Sequence, residues 1–249
     1  MITLYDLKSL RTGSRRGLSL HTWKVRFALR FKGIAYTLHC IELEEVEATA
    51  KALGAPPTSK KPDGSPHYTV PFIHDSKTNK YISNSFDIVE YLDATYPETV
   101  TMIPPETRVL QGYLAEASYA ATWPFITSLR FGLLATSDLT PATLKWVLTN
   151  RPTEQLELSE KDKREAWDKV KNCFGEVAKF MKDEELFVLG GKVSFADAAL
   201  FGQFASFKFF WDEDTTEWKE MMQWHGGRWS RLIEAYNNLP DVEVQPALE

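Results

Sequence analysis

Apolar and polar positions alternate at the very start of the chain. Ile2 and Leu4 point one way in MITLYDL, which predicts a short strand. Ser9 to Leu18 is rich in Ser, Gly and Arg and reads as a loop. Over His21 to Lys32 the period changes. Trp23, Phe27 and Phe31 recur every fourth residue, Val25, Ala28 and Leu29 widen the same face, and Gly33 supplies a helix stop. Tyr36 to Leu43 alternates again as a second strand, and Glu44 to Leu53 is a short acidic helix. Ala55 to Pro66 carries four prolines and one glycine and is predicted to be a loop. Next comes an apolar strand pattern, Tyr68, Val70, Phe72 and Ile73, with Pro71 inside it. A polar turn from Ser76 to Lys80 leads to a second short strand at Tyr81 and Ile82. A helix then opens at Asn84-Ser85, with Ile88, Tyr91 and Leu92 on one side. The order is βαβ-α-ββα. The helical crossover implies a parallel pair and the hairpin an antiparallel one.

The pattern changes at Tyr96 to Thr107, where Pro97, Pro104 and Pro105 mark a linker. The expected partition is 1–97 for the α/β half, 98–107 for the linker and 108–249 for an all-helical half. Val109 to Phe131 predicts a long helix that Pro124 should kink or divide. Thr140 to Asn150 has Pro141 at its first helical position. Ser159 to Met181 aligns Trp167, Val170, Phe174, Val177 and Met181 on one face, and its charge run from Glu160 to Arg164 reads as a solvated face. Ser194 to Trp211 and Gly227 to Asn237 complete the set. Ser194 and Asp197 have the spacing of a capping box, worth ~0.5–2 kcal/mol as a cap.

Composition narrows the function. The 249 residues are 43% hydrophobic, with eight Trp and fifteen Phe, enough for substantial cores. A net charge of −5 argues against bulk binding to nucleic acid or anionic membranes. No apolar run approaches the ~20 residues that span a bilayer. MITLYDL enters a strand pattern directly, without a signal-peptide pattern. Cys40 and Cys173 form neither a CxxC nor a metal spacing, so no metal site and a reducing, cytoplasmic setting are expected. Gly190-Gly191-Lys192 is followed by Val193 and is not a phosphate-binding loop.

The chemistry concentrates in Ser65 to Leu92. A proline within a strand pattern removes a ladder donor, and a cis bond before it would make a tight turn with the Val70 backbone available to a ligand. Asn84 and Ser85 sit where a helix begins, and exposed N–H groups there attract a carboxylate. A free backbone edge beside such a helix start suits a short peptide bearing a carboxylate.

The ordered set Val70-Pro71 and Asn84-Ser85 resembles the glutathione site of the glutathione transferases, whose N-terminal domain is thioredoxin-like. Asn84 stands where that family usually has an acid. Ser19-Leu-His-Thr-Trp-Lys24, followed by Val-Arg-Phe-Ala-Leu, is similar to the Ser-containing helix start of the fungal A class, relatives of the bacterial glutathione-dependent β-etherases. Trp23, Lys24, Arg26, Phe27, Ala28, Leu29, Lys32 and Gly33 match, as does Lys61 to Thr69, whereas Leu20 replaces a proline. The detailed match covers the α/β half. The helical half matches in pattern and in its cap.

The resemblance implies a thioredoxin-like domain followed by an all-helical one, glutathione as co-substrate, and a homodimer. It implies that Ser19 activates the glutathione sulfur and that Ser19, His21, Val70, Pro71, Asn84 and Ser85 hold glutathione. Ser19 has a plain reading as a helix cap, and His21 one as a solvent-facing first-turn residue. Ser9 and Ser14 are weaker activators, Tyr5 lies within the strand, and Cys40 reads as packing. Trp123, Phe125 and Phe131, with Phe201, Phe204, Phe207, Phe210 and Trp211, are candidates to line a hydrophobic site or simply to form core. Arg15 and Arg16 are candidate cleft residues or a solvated pair. Two readings follow. One is a Ser-type transferase acting on aryl ethers, isothiocyanates or peroxides. The other is a ligandin-type carrier of hydrophobic aromatics such as wood-derived phenolics.

Overall fold

The computed structural model describes residues 1–8, 19–134, 140–150, 159–208, 211 and 213–244, with backbone alone at 127–134, 146–148 and 150. The elements of its first half are β1 (Ile2–Leu7), α1 (Leu20–Lys32), β2 (Tyr36–Ile41), α2 (Val46–Leu53), the two-residue strands β3 (Ser59–Lys60) and β4 (Pro66–His67), then β5 (Phe72–Asp75), β6 (Lys80–Ser83) and α3 (Ser85–Thr95). Apart from β3 and β4, this is the βαβ-α-ββα order that the hydrophobic pattern predicts. The main sheet runs β2-β1-β5-β6, with β1 parallel to β2 and antiparallel to β5. Ile2, Leu4 and Ile73 of the sheet bury themselves against Val25 and Leu29 of α1 and Ile88 and Leu92 of α3.

Three local expectations change. The proline-rich stretch expected to be loop throughout contains a two-stranded ribbon, β3 paired with β4. Pro66 lies at the first position of its strand, where no ladder donor is demanded of it. Pro71 precedes β5 instead of lying inside a strand, because the ladder starts at Phe72. The second strand stops at Ile41, and Leu43–Glu45 tightens into a 3₁₀ turn before α2.

The second half is helical: α4 (Arg108–Leu134), α5 (Pro141–Asn150), α6 (Glu160–Ala178), α7 (Phe195–Phe207), α8 (Thr216–Met222) and α9 (Trp224–Asn237). Pro124 lies inside α4 without dividing it. The predicted Ser194–Trp211 helix ends at Phe207, and α8 is an element the periodicity did not announce. α9 begins irregularly, since His225, Gly226 and Gly227 all have positive φ. Every residue of α7 is buried. Its capping box forms: the Asp197 carboxylate accepts from the Ser194 N–H (2.8 Å) and hydroxyl (2.7 Å) and from the Val188 N–H (2.7 Å). Val193, just before the cap, is buried, as is the small Ala198.

α1 joins the two halves. Val25 and Leu29 face the sheet, while Phe27 and Ala28 belong to the helical core. Gly202 of α7 makes this approach possible, since a Cβ there would lie 2.5 Å from the Leu20 carbonyl oxygen. Thr140 and Thr143, at the start of α5, donate to the Glu42 carboxylate at 2.6 and 3.1 Å, tying α5 to the α/β half.

Candidate active site

Sheet register brings the sequence candidates together. Phe72 is opposite both Tyr5 and Ser83. One step beyond that row lie Asp6, Pro71 and Asn84, at the end of β1 from which the chain leads on to Ser19. The Val70–Pro71 peptide is cis and both residues are buried. Asn84 caps α3, its side chain accepting from the Phe86 N–H at 3.0 Å. Its φ of 74° is rare outside glycine, although asparagine is among the residues that tolerate it best. Ser85 follows at the first helical position and is buried. Among the described residues nothing hydrogen-bonds its hydroxyl. Two helices, α1 and α3, therefore open at the same end of the sheet.

Ser19 is the N-cap of α1, with extended backbone, and its hydroxyl oxygen accepts from the Thr22 N–H at 3.4 Å. His21 is half-buried instead of solvent-facing. Its ring lies 4.9 Å from that of Tyr119 on α4, which lies 5.0 Å from Trp123. The two half-buried rings and the histidine form a wall beside the start of α1. Most of the predicted apolar stripe is core: Phe201, Phe204, Phe207 and Trp211 are buried. Phe125 is half-buried beneath Lys169. Ser9, Ser14, Arg15, Arg16, Phe210 and the side chain of Phe131 lie outside the described residues.

Two groups at this end of the sheet escaped the sequence reading. Asp6, the charged side chain of MITLYDL, is fully buried. Burial pushes its carboxyl up to about 6, against the pull of Arg26, the Leu7 N–H (2.7 Å), the Thr22 hydroxyl and the Ser19 N–H. The Thr22 hydroxyl lies near Asp6 without the geometry of a hydrogen bond. Asp6 thus lies buried at the end of β1, close to the cap of α1. Lys24, one turn further along α1, is buried between the rings of Tyr119 and Phe195 at 6.0 and 5.9 Å. Burial lowers its ammonium to about 8, partly offset by the Glu116 carboxylate. A lone Asp in an apolar strand and a Lys on the apolar face of a helix were the available signals.

Other candidates settle as packing. Tyr5 is buried in β1 and stacks on Phe72 at 4.2 Å. Burial pushes the Cys40 thiol up to about 12, so it stays protonated at neutral pH. Among the described residues no cluster of His, Cys, Asp or Glu could hold a metal, and no helix is long and apolar enough to cross a membrane.

Residues 18–95 match the glutathione S-transferase N-terminal domain, and residues 147–239 match the glutathione S-transferase C-terminal domain. A glutathione S-transferase of Ceriporiopsis subvermispora, crystallised in complex with glutathione, is 32% identical over 99% of both chains, with a TM-score of 0.87. A second enzyme of that organism, also crystallised in complex with glutathione, is 26% identical over 96% of this chain and 99% of its own, with a TM-score of 0.87. Glutathione transferase GSTFuA3 from Phanerochaete chrysosporium is 26% identical over 98% of each chain, with a TM-score of 0.82. No curated protein matches the chain.

Proposed function

The chain belongs to the glutathione S-transferase family, and from that premise we propose that it binds glutathione at the shared start of α1 and α3 and activates its thiol through Ser19. Val70 supplies backbone groups beside Pro71, in the manner of an added strand. Asn84 takes the γ-glutamyl amine, and Ser85 with the first N–H groups of α3 takes the carboxylate. His21 contacts the bound peptide from the first turn of α1.

The observation that carries this reading is the cap geometry of Ser19. Its oxygen uses a lone pair to accept from Thr22, so its proton is still free to be donated. Capping and activation are therefore compatible. A thiol of ordinary pKa, ~8.5, is mostly protonated at neutral pH. A donated hydrogen bond and the positive end of α1 favour the thiolate, and each pKa unit gained is worth ~1.4 kcal/mol. The thiolate attacks an electrophilic carbon, a C–S bond forms, and the leaving group departs with the electron pair and takes a proton from water. With an aryl ether the leaving group is an aryloxide. The His21, Tyr119 and Trp123 rings suit an aromatic electrophile.

We assign residues 1–97 to glutathione, 98–107 to the connection and 108–249 to the second substrate. A cytoplasmic setting agrees with two free cysteines. A second copy of the chain is the proposed partner. Val109, Leu110 and Tyr113 on α4 are 75, 68 and 75% exposed, an apolar face that a homodimer would cover.

The test is a glutathione titration followed by tryptophan fluorescence, with turnover measured on aryl ethers and isothiocyanates. Ser19→Ala is expected to bind glutathione still and to lose turnover by on the order of a hundredfold, as when one aligned donor is removed from a site. Full activity in that variant would sink the assignment. One observation favours the carrier reading: Asn84 brings no charge to the ligand amine. Tight binding of aromatics with no turnover on any electrophile would decide for it.

A further inference from the structure

Among the described residues the buried cations are, with one exception, held by acceptors. Lys32 donates to Thr99 and to the Val100 carbonyl and pairs with Asp93. Arg228 donates to the carbonyls of Glu185 and Lys182. Arg26 pairs with Glu243. Lys24 is the exception. It is 3% exposed, yet among the described residues its ammonium makes no hydrogen bond and no ion pair. Its nitrogen still reaches open space, unlike Asp6 Oδ2 and Thr22 Oγ1, which are sealed in. An ammonium kept in apolar surroundings without a partner is unfavourable, and a methionine would fill the same place without that penalty.

Its surroundings show where the ammonium points. Side chains on a helix lean toward its N-terminus, so Lys24 reaches back toward the start of α1. His21 lies one turn back on the same face. Opposite them, Gly112, Glu116, Tyr119 and Trp123 share one face of α4 at spacings of four, three and four. A Cβ on Gly112 would touch the ring of Phe86, the residue after Ser85, at 3.6 Å, and Tyr119 meets His21. That face of α4 thus looks onto the starts of both α3 and α1. Lys24 Nζ lies 6.0 Å from the centre of the Tyr119 ring and 5.9 Å from that of Phe195, which meets Phe86 edge-on at 5.0 Å. The ammonium is therefore beside the aromatic wall that suits the second substrate.

Few charges act on it. From α4, Glu116 attracts it from beyond ion-pair distance, and the Tyr119 phenol is its other titratable neighbour there. On α1 there is His21. On α7 the Asp197 carboxylate turns away to Ser194 and Val188. On α3, Glu90 pairs with Arg108, Asp93 pairs with Lys32, and Asp87 is exposed.

We propose that the Lys24 ammonium is the acid that protonates the leaving oxygen when glutathione cleaves an aryl ether in this site. This rests on the glutathione reading above. The thiolate attacks the ether carbon, the C–S bond forms and the C–O bond breaks. Oxygen keeps the electron pair and takes a proton from Lys24 Nζ, giving a neutral phenol and a neutral amine. The amine regains from solvent the proton that the glutathione thiol released there. Burial lowers this ammonium to about 8, so it is protonated at neutral pH and is a stronger acid than a phenol at ~10. An ordinary lysine, at ~10.4, lacks that advantage.

The experiment compares phenacyl phenyl ether with phenacyl chloride, each with glutathione. The carbon attacked is the same, but chloride leaves without a proton. Lys24→Met is expected to lower the ether-to-chloride ratio of kcat/KM by on the order of a hundredfold, the usual share of one general acid. Ser19→Ala should instead lower both reactions and keep the ratio. In wild type, ether turnover should fall as pH rises through about 8, with no such fall for the chloride. Glu116→Gln, at an exposed position, removes the carboxylate that raises the Lys24 pKa, so the fall on the ether should move to lower pH. This arm decides the matter if Lys24→Met does not fold. An unchanged ratio in folded Lys24→Met, or a fall that Glu116→Gln does not move, would overturn the acid role. A wild type that consumes the chloride and not the ether would overturn it too, while leaving the glutathione reading standing. A wild type that binds no glutathione removes both.

Discussion

Asp6 is buried one residue beyond the row that aligns Tyr5, Phe72 and Ser83, beside the cap of α1. Its carboxyl titrates near 6 in the folded chain, against an ordinary value of 3.8. An acid that binds its proton more tightly when folded favours the folded state at low pH. That contribution is lost as pH rises from about 3.8 through about 6. Wild type should therefore lose stability relative to Asp6→Asn across this window, as read from urea midpoints between about pH 4 and 7. A difference that grows in the opposite sense would show that Arg26, not burial, dominates the site. At this scale the sequence was readable where a residue type marks a backbone need. Pro71, Gly33 and Asn84 are of that kind. Asp6 and Lys24 were not readable, because their roles come from neighbours that only the fold supplies: Ser19 and Arg26 for one, Tyr119 and Phe195 for the other.

Helices with one wet face were legible from their period. In α6, Trp167, Val170 and Phe174 are buried on the predicted face, while Glu160 to Arg164 is solvated. α7 is apolar all round, so periodicity detected it without setting its end, and it stops at Phe207. α8 is seven residues long, too short for the period to declare itself. The α1–α7 contact was invisible in the sequence, since Gly202 looks like any helical glycine until Leu20 is opposite it. Gly202→Ala places a Cβ 2.5 Å from the Leu20 carbonyl oxygen and 3.2 Å from Lys24 Cγ. Backbone cannot yield as a flexible side chain does. The variant should lose about 1–3 kcal/mol, the usual penalty of overpacking. Thermal unfolding checks this, and an unchanged midpoint would mean that the two helices can separate freely. Because Leu20 follows Ser19 directly, turnover should fall in the same variant under conditions where it remains folded.

In the whole molecule, the stretch from Tyr96 to Thr107 read as a linker from its prolines, yet it is packed. Met102 and Ile103 are buried, and Asp93 accepts from their N–H groups while pairing with Lys32 at 2.5 Å. The connection is thus anchored to the ends of α1 and α3. Composition cannot distinguish an anchored connection from a loose one. It also could not identify the exposed face of α4. Tyr113→Glu should leave the fold intact, because Tyr113 is 75% exposed, and should convert a dimer into a monomer. Sedimentation of both proteins measures this, and a wild type that sediments as a monomer at every concentration would remove the proposed interface.

The segment from Asp241 to Val244 crosses back to the sheet. The Tyr36 carbonyl accepts from the Val244 N–H at 2.8 Å, and Tyr36 donates its own N–H to the Val242 carbonyl at 3.0 Å. The Tyr36 hydroxyl and Arg26 both meet Glu243, a partner 207 residues from Tyr36 along the chain. Ribosomes release a chain from its amino end. The strand made early therefore waits, with its outer edge bare and the Arg26 guanidinium still to meet Glu243, until residues some 207 positions later have emerged. An open edge is a template for pairing with other chains, and contacts this distant in sequence form slowly. Residues 241–244, once paired with Tyr36, take that edge out of reach of another chain.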